Sequence, residues 1–259
     1  MKLGLIGMGN MASALAKGFL ASGKVSGKDL AAFDPVAEKL AAMAAELGFT
    51  ALGSEKEVAE WADIVIVACK PYHVESAVAA MGESVESKAL LSIALGWDHA
   101  RYQAILPAGT RVQFVMPNTP AMVGEGMFLF EETNTLAESE LAFAKDLFAA
   151  IGEVEVLPSA LMGIGGALSG CGPAFVDLMI EAFADAGVLY GLPRDKAMKL
   201  VAQTVKGSAK LQLETGLHPG VLKDMVCSPG GSTIRGVAGL EHNGFRSACI
   251  AAVEAIMET

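Results

Sequence analysis

The chain has 259 residues, 53% of them hydrophobic, with 19 Lys and Arg against 29 Asp and Glu and a formal net charge of −10. That length and apolar content suit a sizeable core, divided more readily into two domains than one, and exclude a disordered chain. The acidic balance, without a basic run or basic amphipathic stretch, excludes nucleic acid and anionic membrane as partners, so local dipoles have to hold any anion.

Cys69, Cys171, Cys227 and Cys249 are widely spaced and form no Cys-x-x-Cys or Cys/His cluster. Neither a zinc site nor a disulfide framework is expected, no metal is assigned, and a reducing cytoplasm is the expected setting. One Lys precedes a short apolar run that breaks at Gly7-Met-Gly9, too short for a signal-peptide core. No stretch reads as approaching the ~18 apolar residues of a membrane helix, so a soluble, non-exported protein is expected.

From Leu3 to about Leu157, short apolar or β-branched runs alternate with Ala-rich helical patterns, the sequence form of βαβ units and a parallel sheet. The pattern predicts strands at 2–7, 30–33, 64–68, 90–93, 111–114, 126–131 and 154–157, with a weaker one near Thr50. Ile64-Val-Ile-Val67 is a continuous β-branched run, which predicts a central strand buried on both faces. After Leu157 no strand is expected, and Pro158 marks the boundary between a domain over 1–158 and an all-α domain over 159–259. In the second part Pro173 opens one helix that Gly191 can close, and Pro193 with Asp195 opens another running to about Thr215. The first of these is apolar on much of its circumference, with Phe175, Leu178, Met179, Ile180 and Phe183. A partner subunit could cover it, as could neighbours in a larger monomeric bundle; two-fold dimerisation is the favoured expectation.

Gly7-Met-Gly9-Asn-Met-Ala12 follows the first strand and opens a helix, as the dinucleotide-binding fingerprint requires. Gly7 permits a tight turn, Gly9 lets backbone approach a pyrophosphate, and Ala12 keeps helix and strand close; Asn10 and Met11 begin the helix. Asp34, at the end of the second strand, is placed to accept from adenosine ribose hydroxyls and to repel a 2′-phosphate. NADH is therefore expected over NADPH, with helix capping as Asp34's alternative role. Ala68-Cys-Lys-Pro71 and Met116-Pro-Asn118-Thr-Pro120 follow further strands on the ligand side of an open α/β sheet. Lys70 also reads as an ordinary solvated lysine. His73, His99, His218 and His242 have no carboxylate partner at telling spacing and read as surface or capping residues.

Near the C-terminus, Ser228-Pro-Gly230-Gly231-Ser232-Thr233 precedes an apolar helical pattern. Gly230, Gly231, Ser232 and Thr233 can turn successive N–H groups toward one point at a helix N-terminus, a cradle for a small carboxylate. The Thr233 hydroxyl can donate to or accept from a substrate nitrogen, and helix N-capping is its alternative.

These residues resemble the delta-1-pyrroline-5-carboxylate reductase family over essentially the whole chain. The likeness is carried by Val226–Glu241, by His218–Asp224, by the Gly-x-Gly-Asn-Met start, by Lys70-Pro71, by Met116–Pro120 and by Leu168–Phe175. It implies a Rossmann-type domain and a helical domain that builds an intertwined dimer, often assembled into decamers. It also implies substrate between the nicotinamide and the helical domain. Thr233 would bond the ring nitrogen, while the Gly230–Thr233 backbone and the Ser228 side chain hold the carboxylate. A cyclic imine needs hydride delivery and orientation more than a strong acid, which agrees with the lack of a His or Lys catalyst. Three positions depart from the family pattern: Met225 stands where Asn or Gln is expected, Phe175 replaces a frequent Tyr, and Asp34 differs from the Ser- or Asn/Arg-containing turns of NADPH users. Two other readings are a β-hydroxyacid dehydrogenase, with Lys206 or Lys210 as acid/base, and a non-catalytic nucleotide sensor.

Overall fold

Every residue of β1 (Leu3–Ile6) and β4 (Ile64–Val67) is buried, because unbroken apolar strands are stable only where both faces are covered. A computed structural model describes residues 1–258. The remaining strands are β2 (Leu30–Phe33), β3 (Thr50–Ala51), β5 (Ala89–Ser92), β6 (Arg111–Met116), β7 (Gly126–Glu131) and β8 (Gly152–Leu157). All eight join one sheet in the order β3-β2-β1-β4-β5-β6-β7-β8. Among the described residues no strand follows Leu157.

β1 lies between β2 and β4 and is parallel to both, with Leu3 opposite Leu30 on one side and Ile64 on the other. Helix α1 (Asn10–Ala21) carries the chain from β1 outward to β2, and α2 (Ala37–Leu47) leads on to β3. Helix α3 (Glu55–Trp61) then returns it to β4 at the other flank of β1. The winding direction reverses there, so a crevice opens beyond the carboxyl ends of β1 and β4.

Side chains alternate across the sheet. Leu3, Leu5, Ile64 and Ile66 face one layer of the core, and Ile6, Val65 and Val67 face the other. In the first layer Phe148, on α6 (Glu138–Ala149), meets Phe19, Phe128 and Phe130 edge-on at centroid distances of 4.9–5.5 Å. The second layer is closed by α3, by α4 (Val74–Met81) and by the short α5 (His99–Gln103).

The sheet is parallel from β3 to β6, whereas β7 is antiparallel to β6, and β8 runs parallel to β7. The expected parallel sheet is met from β3 to β6, and β7 is the departure. Only residues 117–125 separate β6 from β7, too few for the helical crossover that a parallel neighbour needs, so the chain folds back. β8 is one of the two edge strands, and its exposed Glu153 and Glu155 oppose pairing with another chain.

The described chain divides into Met1–Cys171 and a second unit beginning at Gly172. In the first, α7 (Met162–Ser169) places Met162 against Phe114 and Leu129. The second contains α8 (Gly172–Leu189), α9 (Arg194–Thr215), α10 (Pro219–Met225), α11 (Ser232–His242) and α12 (Phe245–Met257). Pro193 precedes α9, and Gly216 ends it in the left-handed conformation while donating to the Gln212 carbonyl. In these five helices only Ala184 and Ala197 are buried, whereas Phe175, Leu178, Leu189, Leu213 and Ile250 are exposed. The expectation about apolar length is corrected here. The stretch Ser159–Leu189 is long and apolar enough to cross a membrane by length and composition, and 17% of its most apolar window is buried. Small residues interspersed with the larger apolar ones hide this run from the eye.

Arg111 at the start of β6 grips Glu140 on α6 through two hydrogen bonds, donated from Nε at 2.8 Å and Nη2 at 2.6 Å. Glu140 also accepts from the Ala137 N–H that opens α6. These bonds, the Arg111 pair foremost, hold the Glu140 carboxyl below the usual range although partial burial opposes it. Its stabilisation is therefore present at neutral pH and is lost as pH falls through the depressed pKa. Glu140→Gln is expected to lower stability by about 1–2 kcal/mol at pH 7. Urea unfolding of both proteins at pH 7 and pH 3 checks this, since the gap must narrow in acid.

Candidate active site

β1 ends against a turn whose geometry leaves little choice of residue. Gly7 has φ +91°, and a Cβ there would stand 2.9 Å from the Cys69 nitrogen and 3.0 Å from the Ala68 carbonyl. Its N–H donates to the Phe33 carbonyl at 2.8 Å, so the turn is tied to β2 while pressed against the exit of β4. Gly9 then N-caps α1 with no side-chain cap, and a Cβ at this position would meet nothing within 4 Å. Gly9 and Asn10 are exposed and Met11 is half-buried. An uncapped helix N-terminus with open space beside its glycine fits a pyrophosphate.

Asp34 is engaged on both oxygens. Oδ2 accepts from the Met8 N–H at 2.7 Å, and Oδ1 accepts from the Val36 N–H at 2.9 Å. The second bond is an Asx turn rather than a helix cap, since Val36 is itself the N-cap of α2. Asp34 thus fastens the glycine turn to the end of β2, and each oxygen keeps a second lone pair for a ligand hydroxyl. This link was beyond sequence reasoning, because 26 residues separate its ends.

The exit of β4 forms the facing wall. The Ala68 N–H continues the ladder to the Ile6 carbonyl, and Lys70 is exposed before a short turn at Pro71–His73. Cys69 is largely buried, and its thiol is pushed up to about 11, chiefly by that burial. It stays protonated at neutral pH. The Pro71 carbonyl accepts from the Trp97 indole N–H at 2.9 Å, a contact the motif pattern gave no sign of.

Asn118 follows β6 and is 8% exposed. Its Oδ1 accepts from the Met127 N–H at 2.8 Å and its Nδ2 donates to the Ser169 carbonyl at 3.0 Å, which anchors its loop to β7 and α7. Asn118 therefore shapes the ligand-side rim through bonds to the protein.

In the second unit Ser228–Gly231 form a turn closed by the Gly231 N–H donating to the Ser228 carbonyl at 3.0 Å. Pro229 leads it and Gly230 takes φ +68°, the arrangement of a type II turn. Gly231 N-caps α11 without a side-chain cap, and a Cβ on it would come 2.4 Å from the Ser228 hydroxyl. Ser232 and Thr233 are the first two helical residues and both are exposed. Thr233 is therefore not the N-cap, and among the described residues its hydroxyl has no hydrogen-bond partner. Backbone N–H groups, the Ser228 hydroxyl and the Thr233 hydroxyl together suit a small carboxylate with an adjacent polar atom.

Three of the other candidates have partners elsewhere. His218 Nδ1 accepts from the Gly220 N–H at 3.0 Å at the start of α10, a capping role. His73 stacks on Tyr72 at 4.5 Å. Lys210 pairs with Glu214 one turn along α9, and Lys206 is exposed on the same helix. Among the described residues no group of three or more His, Cys, Asp or Glu could hold a metal.

Residues 159–259 match the family model for pyrroline-5-carboxylate reductase dimerisation, and residues 2–96 match that for NADP oxidoreductase, coenzyme F420-dependent. The pyrroline-5-carboxylate reductase of Escherichia coli is 41% identical over 99% of this chain and 96% of that protein. That of Treponema pallidum is 39% identical, covering 100% of both chains. The crystal structure of Plasmodium falciparum pyrroline carboxylate reductase with NADP bound superposes with a TM-score of 0.90 at 34% identity, covering 100% of this chain and 96% of that one.

Gly7→Ala is expected to weaken dinucleotide binding more than tenfold and to lower Tm by several degrees, because its Cβ meets backbone that cannot yield. Isothermal titration with NADH and NADPH, alongside thermal unfolding, measures both effects.

Proposed function

The chain belongs to the pyrroline-5-carboxylate reductase family, and we propose that it reduces 1-pyrroline-5-carboxylate to L-proline, the last step of proline biosynthesis. The observation that carries this reading is the Ser228–Thr233 turn, which leaves an uncapped helix N-terminus beside an unengaged Thr233 hydroxyl. A bound NAD(P)H supplies hydride to the imine carbon while the ring nitrogen carries the proton, giving proline and the oxidised dinucleotide. Gly7, Gly9, Asn10 and Met11 hold the pyrophosphate at the start of α1. Ala68, Cys69, Lys70 and Pro71 line the facing wall, and Asn118 keeps its own strand-end loop in place.

The N–H groups from Gly230 to Thr233 and the Ser228 hydroxyl hold the substrate carboxylate. The Thr233 hydroxyl orients the ring nitrogen. No strong general acid is needed, because the imine is basic enough to be protonated before hydride arrives; the work is orientation. A β-hydroxyacid dehydrogenase would need a lysine as acid/base at the reacting centre, whereas Lys206 and Lys210 both stand exposed along α9.

NADH is the cofactor we assign over NADPH. Asp34 places a carboxylate at the end of β2, its oxygens retain acceptor capacity, and a 2′-phosphate there would meet like charge. The enzyme is read as a homodimer formed through the exposed apolar faces of the second unit, with the decamer of the family resemblance as the larger assembly. Sedimentation distinguishes the two. The four free thiols support a cytoplasmic setting.

Two measurements test this function. Oxidation of NADH with pyrroline-5-carboxylate is expected to give a higher kcat/KM than oxidation of NADPH, and a strong NADPH preference would overturn the Asp34 assignment. Thr233→Ala is expected to lower kcat about 10- to 100-fold with cofactor Kd nearly unchanged, the signature of an interaction made with the reacting imine. Wild-type turnover in that variant would remove Thr233 from its role.

A further inference from the structure

The wall of the crevice formed by the β4 exit is braced from outside. Trp97 is 4% exposed and lies in the loop between β5 and α5. Its indole N–H donates to the Pro71 carbonyl at 2.9 Å, joining the loop after β5 to the loop after β4. The indole is itself held. It packs on Tyr102 with ring centroids 5.2 Å apart, the Arg101 guanidinium lies 4.5 Å over its ring, and its backbone N–H donates to the Ala94 carbonyl. Tyr102 and Ser92 share a buried hydroxyl hydrogen bond of 2.8 Å, and the Ser92 hydroxyl also accepts from the Ala94 N–H. A buried indole held by a tilted ring contact and a cation–π contact points its single donor in one direction.

That direction matters because residues 68–71 stand against Gly7. The Ala68 and Cys69 backbone leaves a Cβ at Gly7 no room, so a small outward or inward movement of this segment changes the width of the crevice. We propose that Trp97 is a positioning residue for dinucleotide binding, setting the place of the Ala68–Pro71 wall through its hydrogen bond to Pro71. The inference rests on the proposed function. Trp97 touches neither substrate nor reacting atoms, and it acts through Pro71.

Two substitutions separate this role from general stability. Trp97→Phe keeps an aromatic ring beside Tyr102 and Arg101 but removes the donor. Tyr102→Phe removes a buried hydroxyl from the same cluster while leaving the Trp97–Pro71 bond intact. Dinucleotide Kd is measured by titration with NADH and NADPH, Tm by thermal unfolding, and kcat at saturating cofactor. Trp97→Phe is expected to raise Kd and the cofactor KM three- to tenfold, with kcat within twofold of wild type. Tyr102→Phe is expected to lower Tm with Kd within twofold. The inference is overturned if Trp97→Phe binds dinucleotide as wild type does, or if Kd rises in both variants in step with their loss of Tm. Wild-type protein that binds neither dinucleotide would overturn the proposed function, and this inference with it.

Discussion

At Gly7 three strands have to be reconciled in one turn. The chain leaves β1, ties back to β2 through the Phe33 carbonyl, passes within van der Waals limits of the backbone leaving β4, and must still reach the N-cap of α1 two residues later. Only a residue without a Cβ meets those conditions, and the consequences spread outward. Met8 is left with an N–H pointing at Asp34, which binds it. Gly9 is left extended, so the first N–H groups of α1 face open space. The cofactor side of the molecule thus descends from a steric limit at one α-carbon.

The second unit obeys a different constraint. Its helices are well made locally, with prolines before and left-handed glycines after, yet they bury almost no large side chains within one chain. Conformational entropy is lost in forming them, and burial of their apolar faces is what offsets it. The dimerisation family model covering residues 159–259 supports burial of these faces in a homo-oligomer.

Features that depend on local pattern were legible from sequence. The buried strand at Ile64–Val67, the helix from Arg194 to Thr215 and the glycine turn after β1 were all readable, since β-branched runs, Pro and Gly act within a few residues. Most of the positions proposed for binding were readable for the same reason. What could not be read depends on distant partners. The antiparallel β7 follows from a connection too short to cross the sheet, and the dual engagement of Asp34 needs Met8 in place. Asn118 reads as a ligand-side residue, and its bonds to Met127 and Ser169 depend on partners its motif does not show. Trp97 carried no motif at all, and its bearing on Pro71 exists only once two strand-end loops are adjacent.

Cys69 gives the crevice a chemical property beyond its shape. With a thiol pushed up to about 11, the sulfur stays protonated at pH 7. Peroxide and alkylating agents react with thiolates, so the sulfur in this wall is almost invisible to them. Partial burial of the sulfur beside the crevice, instead of full exposure, is what gives the wall that inertness.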